Sequence, residues 1–100
     1  MAEIPLKAIR LIRLAGDGLV TPTPAFLFSV TITSDGGGDA DAKVYDGVST
    51  KAPQVLDLGA YSGDLRQVSF NPPAYFRRGI YVDVGSNVAS VSLQYATIRE

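Results

Sequence analysis

The sequence contains no cysteine and no histidine. Without cysteine, the chain has no disulfide framework and no thiolate metal site. Without histidine, it lacks the commonest general base, the commonest metal ligand and every Ser-His or Cys-His nucleophile arrangement. We therefore predict that the chain is not an enzyme and has no catalytic residues, no cofactor and no metal site.

Charge and long apolar runs are also scarce. The 100 residues carry 9 Lys and Arg against 10 Asp and Glu, a formal charge of −1, so the basic excess of a nucleic-acid-binding protein is missing. No apolar run approaches the ~20 residues of a transmembrane helix. Glu3 stands where a signal peptide needs basic residues. We predict a soluble product of the cytoplasm with no nucleic-acid or membrane partner and no small-molecule ligand.

What the sequence does contain is a repeated pattern of alternating apolar and polar residues, closed by Gly, Asn, Asp or Pro. Its clearest copies are Lys43-Val44-Tyr45-Asp46-Gly47 and Gly79-Ile80-Tyr81-Val82-Asp83-Val84-Gly85. Such short, regularly spaced strands are typical of a β-sandwich or β-barrel. The pattern predicts strands at 25–33, 42–46, 54–59, 66–70, 79–84 and 88–96.

Residues 6–14 are ambiguous, because Lys7, Arg10 and Arg13 recur at helical spacing while the intervening apolar residues suit a strand. We favour a strand, since no N-cap precedes the segment and Gly16-Asp17-Gly18 ends it. The fold prediction is all-β: one antiparallel β-sandwich, jelly-roll or Ig-like, of about seven to eight strands. It forms a single domain over 1–100, with 1–14 as an N-terminal arm or edge strand.

Alternation also assigns the faces of the strands. In 25–33 we expect Phe26, Phe28, Val30 and Ile32 to point inward, with Phe70 as a third large core residue. The other expected inward residues are Ala42, Val44, Leu56, Leu58, Val68, Ile80, Val82, Val84, Ala89, Val91, Leu93 and Tyr95.

Two acidic sets are candidates for chemistry. Asp35, Asp39 and Asp41 flank three glycines, a combination that suits a flexible calcium loop, but their spacing matches no known calcium loop. The alternatives are a bound ion and a solvated turn that keeps a sheet edge polar. Carboxylate pairs for hydrolysis could be drawn from Asp46, Asp57, Asp64 and Asp83, although any β-domain contains such residues.

Tyrosines and one proline-rich segment are the features that suggest a contact surface. Several tyrosines fall on strand faces opposite the inward residues, where an apolar ring with a polar tip suits an interface, a core rim or a sugar-stacking platform. The segment 71–79 presents aromatic rings and two arginines. It is either such a surface or a crossover between sheets with Phe76 in the core. The candidate interface residues are Tyr45, Tyr75, Arg77, Arg78, Tyr81 and Asp83.

A family resemblance rests on the order of several short segments between residues 25 and 96. The matching pieces are Val44-Tyr45-Asp46-Gly47, Val55-Leu56-Asp57-Leu58, Phe70-Asn71-Pro72-Pro73, Arg78-Gly79-Ile80-Tyr81-Val82-Asp83-Val84 and Ala89-Ser90-Val91-Ser92-Leu93-Gln94-Tyr95. Their arrangement resembles that of small virion proteins of tailed bacteriophages.

This resemblance implies a structural protein of a phage particle, with capsid decoration or cement as its expected role. Its partners would then be capsid or other virion proteins and further copies of itself, as a homo-oligomer located in the virion. The alternatives are a tail or connector component, and a carbohydrate-binding or host-recognition module that stacks sugars on Tyr45, Tyr75 and Tyr81.

Overall fold

The computed structural model describes residues 8–98, and all of its regular elements are β-strands. They are β1 (Arg10–Leu14), β2 (Gly18–Thr21), β3 (Ala25–Ser34), β4 (Ala40–Asp46), β5 (Gln54–Ala60), β6 (Leu65–Phe76), β7 (Ile80–Val84) and β8 (Val88–Thr97). Within this range no helix exists that could cross a bilayer. Residues 1–7, which make up half of the predicted arm, lie outside the described residues.

The eight strands form two four-stranded antiparallel sheets, ordered β1-β8-β3-β6 and β2-β7-β4-β5. Strand pairing follows a simple rule: β1 pairs with β8, β2 with β7, β3 with β6 and β4 with β5. The chain is thus one long hairpin with its tip between β4 and β5, wrapped into two layers. This is the jelly-roll arrangement of eight strands.

The predicted β-sandwich is confirmed, and the strand order decides between its two forms. In an Ig-like sandwich the first two strands share a sheet. Here β1 and β2 lie in different sheets. The segment 10–14 is a strand rather than a helix, and it lies at the outer edge of its sheet beside β8.

The core lies between the two sheets and is built mainly from the predicted inward residues. Val44, Ile80, Val82, Val91 and Leu93 are fully buried, and Tyr95 also belongs to the core cluster. Outward-facing residues alternate with them along the same strands, because successive side chains of a β-strand point to opposite faces of the sheet. The face assignments for β4, β5, β7 and β8 are therefore confirmed, except that Ala89 does not belong to the buried cluster.

The expectation that Phe26 and Phe28 are core residues is wrong. Between Leu27 and Ser29, β3 advances two residues while β8 advances only from Tyr95 to Gln94, so Phe28 is the extra residue of a β-bulge. Alternation changes phase at such a bulge. Phe26 consequently lies on the outer face, where its ring packs 5.1 Å from that of Tyr75.

Residues 71–76 of the proline-rich segment belong to β6, and residues 77–79 form the crossover from that sheet to β7 in the other. β6 continues to Phe76. Its residues 70–73 form an irregularity in the pairing with β3, because Leu27 pairs with Ala74 whereas Ser29, two residues later, pairs with Ser69. Phe76 is 2% exposed and belongs to the core cluster. Phe70 packs against the core from a partly buried position.

The sequence pattern does not predict β2. This strand has only four residues, and the turn residues Gly16 and Asp17 before it and Pro22 and Pro24 after it suggest a continuous loop. Its pairing with β7 is what makes it a strand. A sequence this short carries too little periodicity to indicate that pairing.

Candidate functional site

The sandwich has an open groove on the side where β5 and β6 lie. Each of these strands is the edge of its sheet, so neither sheet covers the space between them. The groove has a volume of about 800 Å³. Its apolar lining includes Ile32, Leu58 and Val68, which also contribute to the core or pack against it. Ile32 is 1% and Leu58 is 7% exposed, so the core side chains form the covered floor of the groove.

The charged lining of the groove is acidic. It comprises three carboxylates, Asp39, Asp57 and Asp64, and one guanidinium, Arg66, a net formal charge of −2. Two of the carboxylates are held by backbone amides, because Asp39 Oδ1 accepts from the Ser62 N–H at 3.1 Å and Asp64 Oδ1 from the Leu65 N–H at 2.9 Å. A fixed acidic rim above an apolar lining favours a basic, partly apolar occupant.

Large apolar side chains are exposed near both edge strands, β1 and β6, of the sheet β1-β8-β3-β6. Beside the groove, Tyr61 is 76% and Leu65 is 59% exposed, and at the opposite edge Ile9 is 58% and Leu11 is 71% exposed. Leu65 breaks the alternation of apolar and polar residues in β6, because it is apolar but shares the outer face of the strand with Gln67 and Ser69. That apolar residue on a polar face is the signal that could have identified the groove.

Tyr45 and Tyr81 face each other across β4 and β7 on the outer side of the other sheet. Their ring centroids are 6.4 Å apart at an interplanar angle of 62°, an edge-to-face contact. Tyr45 is 9% exposed although it is not in the core cluster, and Tyr81 is half-buried. Little of the Tyr45 ring is therefore accessible to a partner in this conformation.

On the same outer face, the neighbouring positions of β4, β5 and β7 carry charged residues. Lys43 pairs in register with Asp57 on one side and Asp83 on the other. Opposite charges directly across neighbouring strands stabilise a sheet by ~0.2–1 kcal/mol for each pair. Asp83 therefore lies in register with Lys43 on this outer face.

The remaining candidate interface residues lie elsewhere. Tyr75 is 52% exposed and is on the outer face of the sheet that contains β6. Arg77 and Arg78 are exposed in the connection between β6 and β7, and the Arg78 N–H donates to Asp46 Oδ1 at 2.9 Å. The six residues predicted as one interface thus occupy two sheet faces and a loop rather than a single patch.

The aspartates of the glycine-rich segment and the start of β4 are bound to backbone amides. Asp41 Oδ1 accepts from the Ser86 N–H at 2.8 Å, and Asp35 Oδ1 accepts from the Gly37 N–H at 2.7 Å within its own turn. Within residues 8–98, no three acidic side chains lie close enough together to hold a metal ion. These carboxylates stabilise loops by satisfying N–H groups that no strand partner reaches.

Comparison with known proteins adds no relative: no family model, curated protein or solved structure matches the chain.

Proposed function

We propose that this chain is a non-enzymatic structural subunit of a tailed-phage particle, a capsid decoration or cement protein that acts through protein–protein contacts. Its partners are capsid or other virion proteins and further copies of the chain, and its location is the virion. The proposal joins the family resemblance of residues 25–96 to one structural observation, the groove between β5 and β6 with its acidic rim and apolar lining.

Two properties of the fold support a role in assembly. Within residues 8–98, both sheets end in strands that pair on one side only, and unpaired strand edges are templates for pairing with another chain. Exposed Leu65 and Tyr61 lie beside one such edge. Association with a partner would remove this apolar surface from water, which is the main favourable term in most protein–protein contacts.

The carboxylates fit the same role. Asp41 and Asp46 each bind a backbone amide of a distant segment, so their oxygens hold loops in place. A decoration subunit needs a rigid framework of this kind and does not need acidic groups that converge on a substrate. Of the four carboxylates considered for hydrolysis, Asp46 and Asp64 each accept a backbone N–H and so have such a structural role.

The test is binding to phage heads that lack the protein. Heads prepared from a phage deleted for the gene are mixed with purified protein and sedimented, and saturable co-sedimentation with increased resistance of the heads to heat is expected. Immunogold labelling of complete particles then separates head from tail. Protein that stays in the supernatant, with particles unlabelled, would contradict the proposal.

A carbohydrate-binding role is the second candidate, and the Tyr75–Phe26 pair favours it. Tyr75 projects from the sheet face that also carries Ser29 and Gln94, whose side chains hydrogen-bond at 2.8 Å. Ser29 is buried, so the exposed Tyr75 ring and the exposed Gln94 amide are the groups that this face offers to a sugar. A glycan array with the wild type and the Tyr75→Ala variant tests it, with Tyr61→Ala as control; loss of a glycan signal only in Tyr75→Ala would support this role.

A further inference from the structure

We infer that the open edge of β5 binds an extended, basic segment of a partner protein by strand addition, and that the groove between β5 and β6 receives the apolar side chains of that segment. The inference rests on the proposed function and deepens it, because it names the chemistry of the virion segment that the chain contacts. It is carried by the direction of the backbone groups of β5, the charges beside them and the exposed apolar residues of the groove.

β4 alternates the direction of its backbone groups between its two neighbours. The Asp41 C=O accepts from the Gly85 N–H at 2.9 Å on the β7 side, and the Asp46 N–H donates to the Pro53 C=O at 2.9 Å on the β5 side. Successive residues of a strand direct their N–H and C=O groups to opposite sides. Both bonds therefore agree that the backbone groups of Ala42 are directed toward β5.

This alternation leaves the backbone groups of Asp57 and Gly59 on the open side of β5. Leu58 is the partner of Ala42, so its N–H and C=O groups are directed toward β4, and those of its two neighbours are directed away from it. Within residues 8–98, β5 pairs with β4 alone, and Asp57 and Gly59 both line the groove. An added strand can therefore form an antiparallel ladder with these two residues.

Charge indicates that the added strand is basic at the position beside Asp57. On the outer face, Asp83 of β7, Lys43 of β4 and Asp57 of β5 lie in register, so the sign of the charge alternates across the sheet. A lysine or arginine opposite Asp57 continues this alternation, and opposite charges on neighbouring strands stabilise a sheet. The groove lining, with its net charge of −2, attracts the same segment.

Apolar side chains are expected at the positions between the basic ones. Successive residues of a strand point to opposite faces, so the neighbours of a basic residue on the outer face point into the groove. There they approach Val68, which is partly buried, and Tyr61 and Leu65, which are 76% and 59% exposed. Covering these side chains removes apolar surface from water. The occupant is thus an extended segment in which basic and apolar residues alternate.

A peptide of this pattern tests the inference by NMR titration of the isotope-labelled protein. The probe is a capped peptide of alternating lysine and valine, matched in length to the seven residues of β5. We expect saturable binding with the largest amide shifts at Asp57 and Gly59, weakened by added salt because the charges are then screened. The same peptide with glutamate in place of lysine should not bind. Absence of binding by the lysine peptide, or largest shifts on a different surface, would overturn the inference.

Asp57→Lys tests the charge. It should weaken binding of the lysine peptide at least about tenfold, because like charges then face each other across the ladder. The matched control is Asp35→Lys, an equal change of charge at an exposed residue outside the groove lining. This control should change the affinity less than about twofold, because salt screens distant charges. Equal weakening in the two variants would show that overall charge alone attracts the peptide, which contradicts the inference.

Gly59 tests the ladder independently of charge. Gly59→Pro removes an N–H from the open side and should weaken binding about threefold to tenfold, while an edge strand tolerates proline. Gly59→Ala is the matched control, since an added Cβ would contact the Ala40 carbonyl oxygen at an ordinary 3.6 Å. Circular dichroism checks folding, and if Gly59→Pro does not fold, Asp57→Lys decides. Equal affinities of folded Gly59→Pro and Gly59→Ala would contradict the ladder.

Three further outcomes separate this inference from the proposed function and from self-association. Wild-type protein that binds the peptide but not phage heads leaves the β5 edge as a binding site and contradicts the virion role. Protein that binds heads but not the peptide keeps the virion role and overturns the inference. Self-association of the wild type in sedimentation velocity that Asp57→Lys abolishes would assign the edge to a second copy, which also overturns the inference.

Discussion

The carboxylate of Asp17 accepts a hydrogen bond of 2.7 Å from the backbone N–H of Val84, 67 residues away in the sequence. Asp17 lies in the turn where the chain crosses from β1 in one sheet to β2 in the other, and Val84 is the last residue of β7, the neighbour of β2. The bond thus connects a corner of the sandwich to the strand beside it. Hydrogen bonds to ionised acceptors are stronger than those between neutral groups.

Removing this bond should destabilise the whole domain. We expect Asp17→Ala to lower the free energy of unfolding by about 1 kcal/mol, measured by urea denaturation. The matched control is Asp35→Ala, whose carboxylate bonds only to Gly37 within its own turn and should cost less. Equal losses in the two variants would show that the link from this corner to β7 contributes nothing beyond a local turn.

Gly79 should not tolerate any side chain. Its φ of +131° is unfavourable for L-residues with a Cβ, and a Cβ placed there would lie 2.5 Å from the carbonyl oxygen of Thr21. We expect Gly79→Ala to lower the free energy of unfolding by at least about 2 kcal/mol. Gly16→Ala is the control, because a Cβ added at Gly16 would meet nothing within 4 Å, and it should change stability by less than about 0.5 kcal/mol.

Tyr45 and Tyr81 should be energetically coupled. Their edge-to-face contact predicts an interaction free energy of about 0.5–1.5 kcal/mol in a double-mutant cycle with Tyr45→Ala, Tyr81→Ala and the double variant. The measurement is equilibrium unfolding of all four proteins. If the losses in free energy of unfolding from the two single variants add up to that of the double variant, the two rings act independently.

Phe76 in the core and Phe26 on an outer face give a test of the core. Phe76→Ala should cost about 3–5 kcal/mol, because it leaves a cavity among fully buried residues. Phe26→Ala should cost clearly less, since its ring is half-buried on an outer face against Tyr75. A larger loss for Phe26→Ala in thermal and urea unfolding would place it in the core after all.

Only some of the residues that form the groove could be predicted from the sequence. Leu65 is visible in the sequence as an apolar residue on a polar face, but its proximity to Asp39 and Asp57 depends on how β4, β5 and β6 are brought together. Tyr45 and Tyr81 are correctly placed on an outer face by alternation. Their mutual contact, which leaves Tyr45 buried, follows from the register of β4 against β7.

The amino-acid sequence alone predicts the β class, the approximate bounds of most strands and the inward face of β4, β5, β7 and β8. It could do so because alternation of apolar and polar residues is local, and each strand carries its own pattern. Tertiary structure alone decided the pairing of β1 with β8 and β2 with β7, the bulge at Phe28 and the open side between β5 and β6. Those features depend on which distant segments meet, and loop closure and packing between two sheets determine that choice.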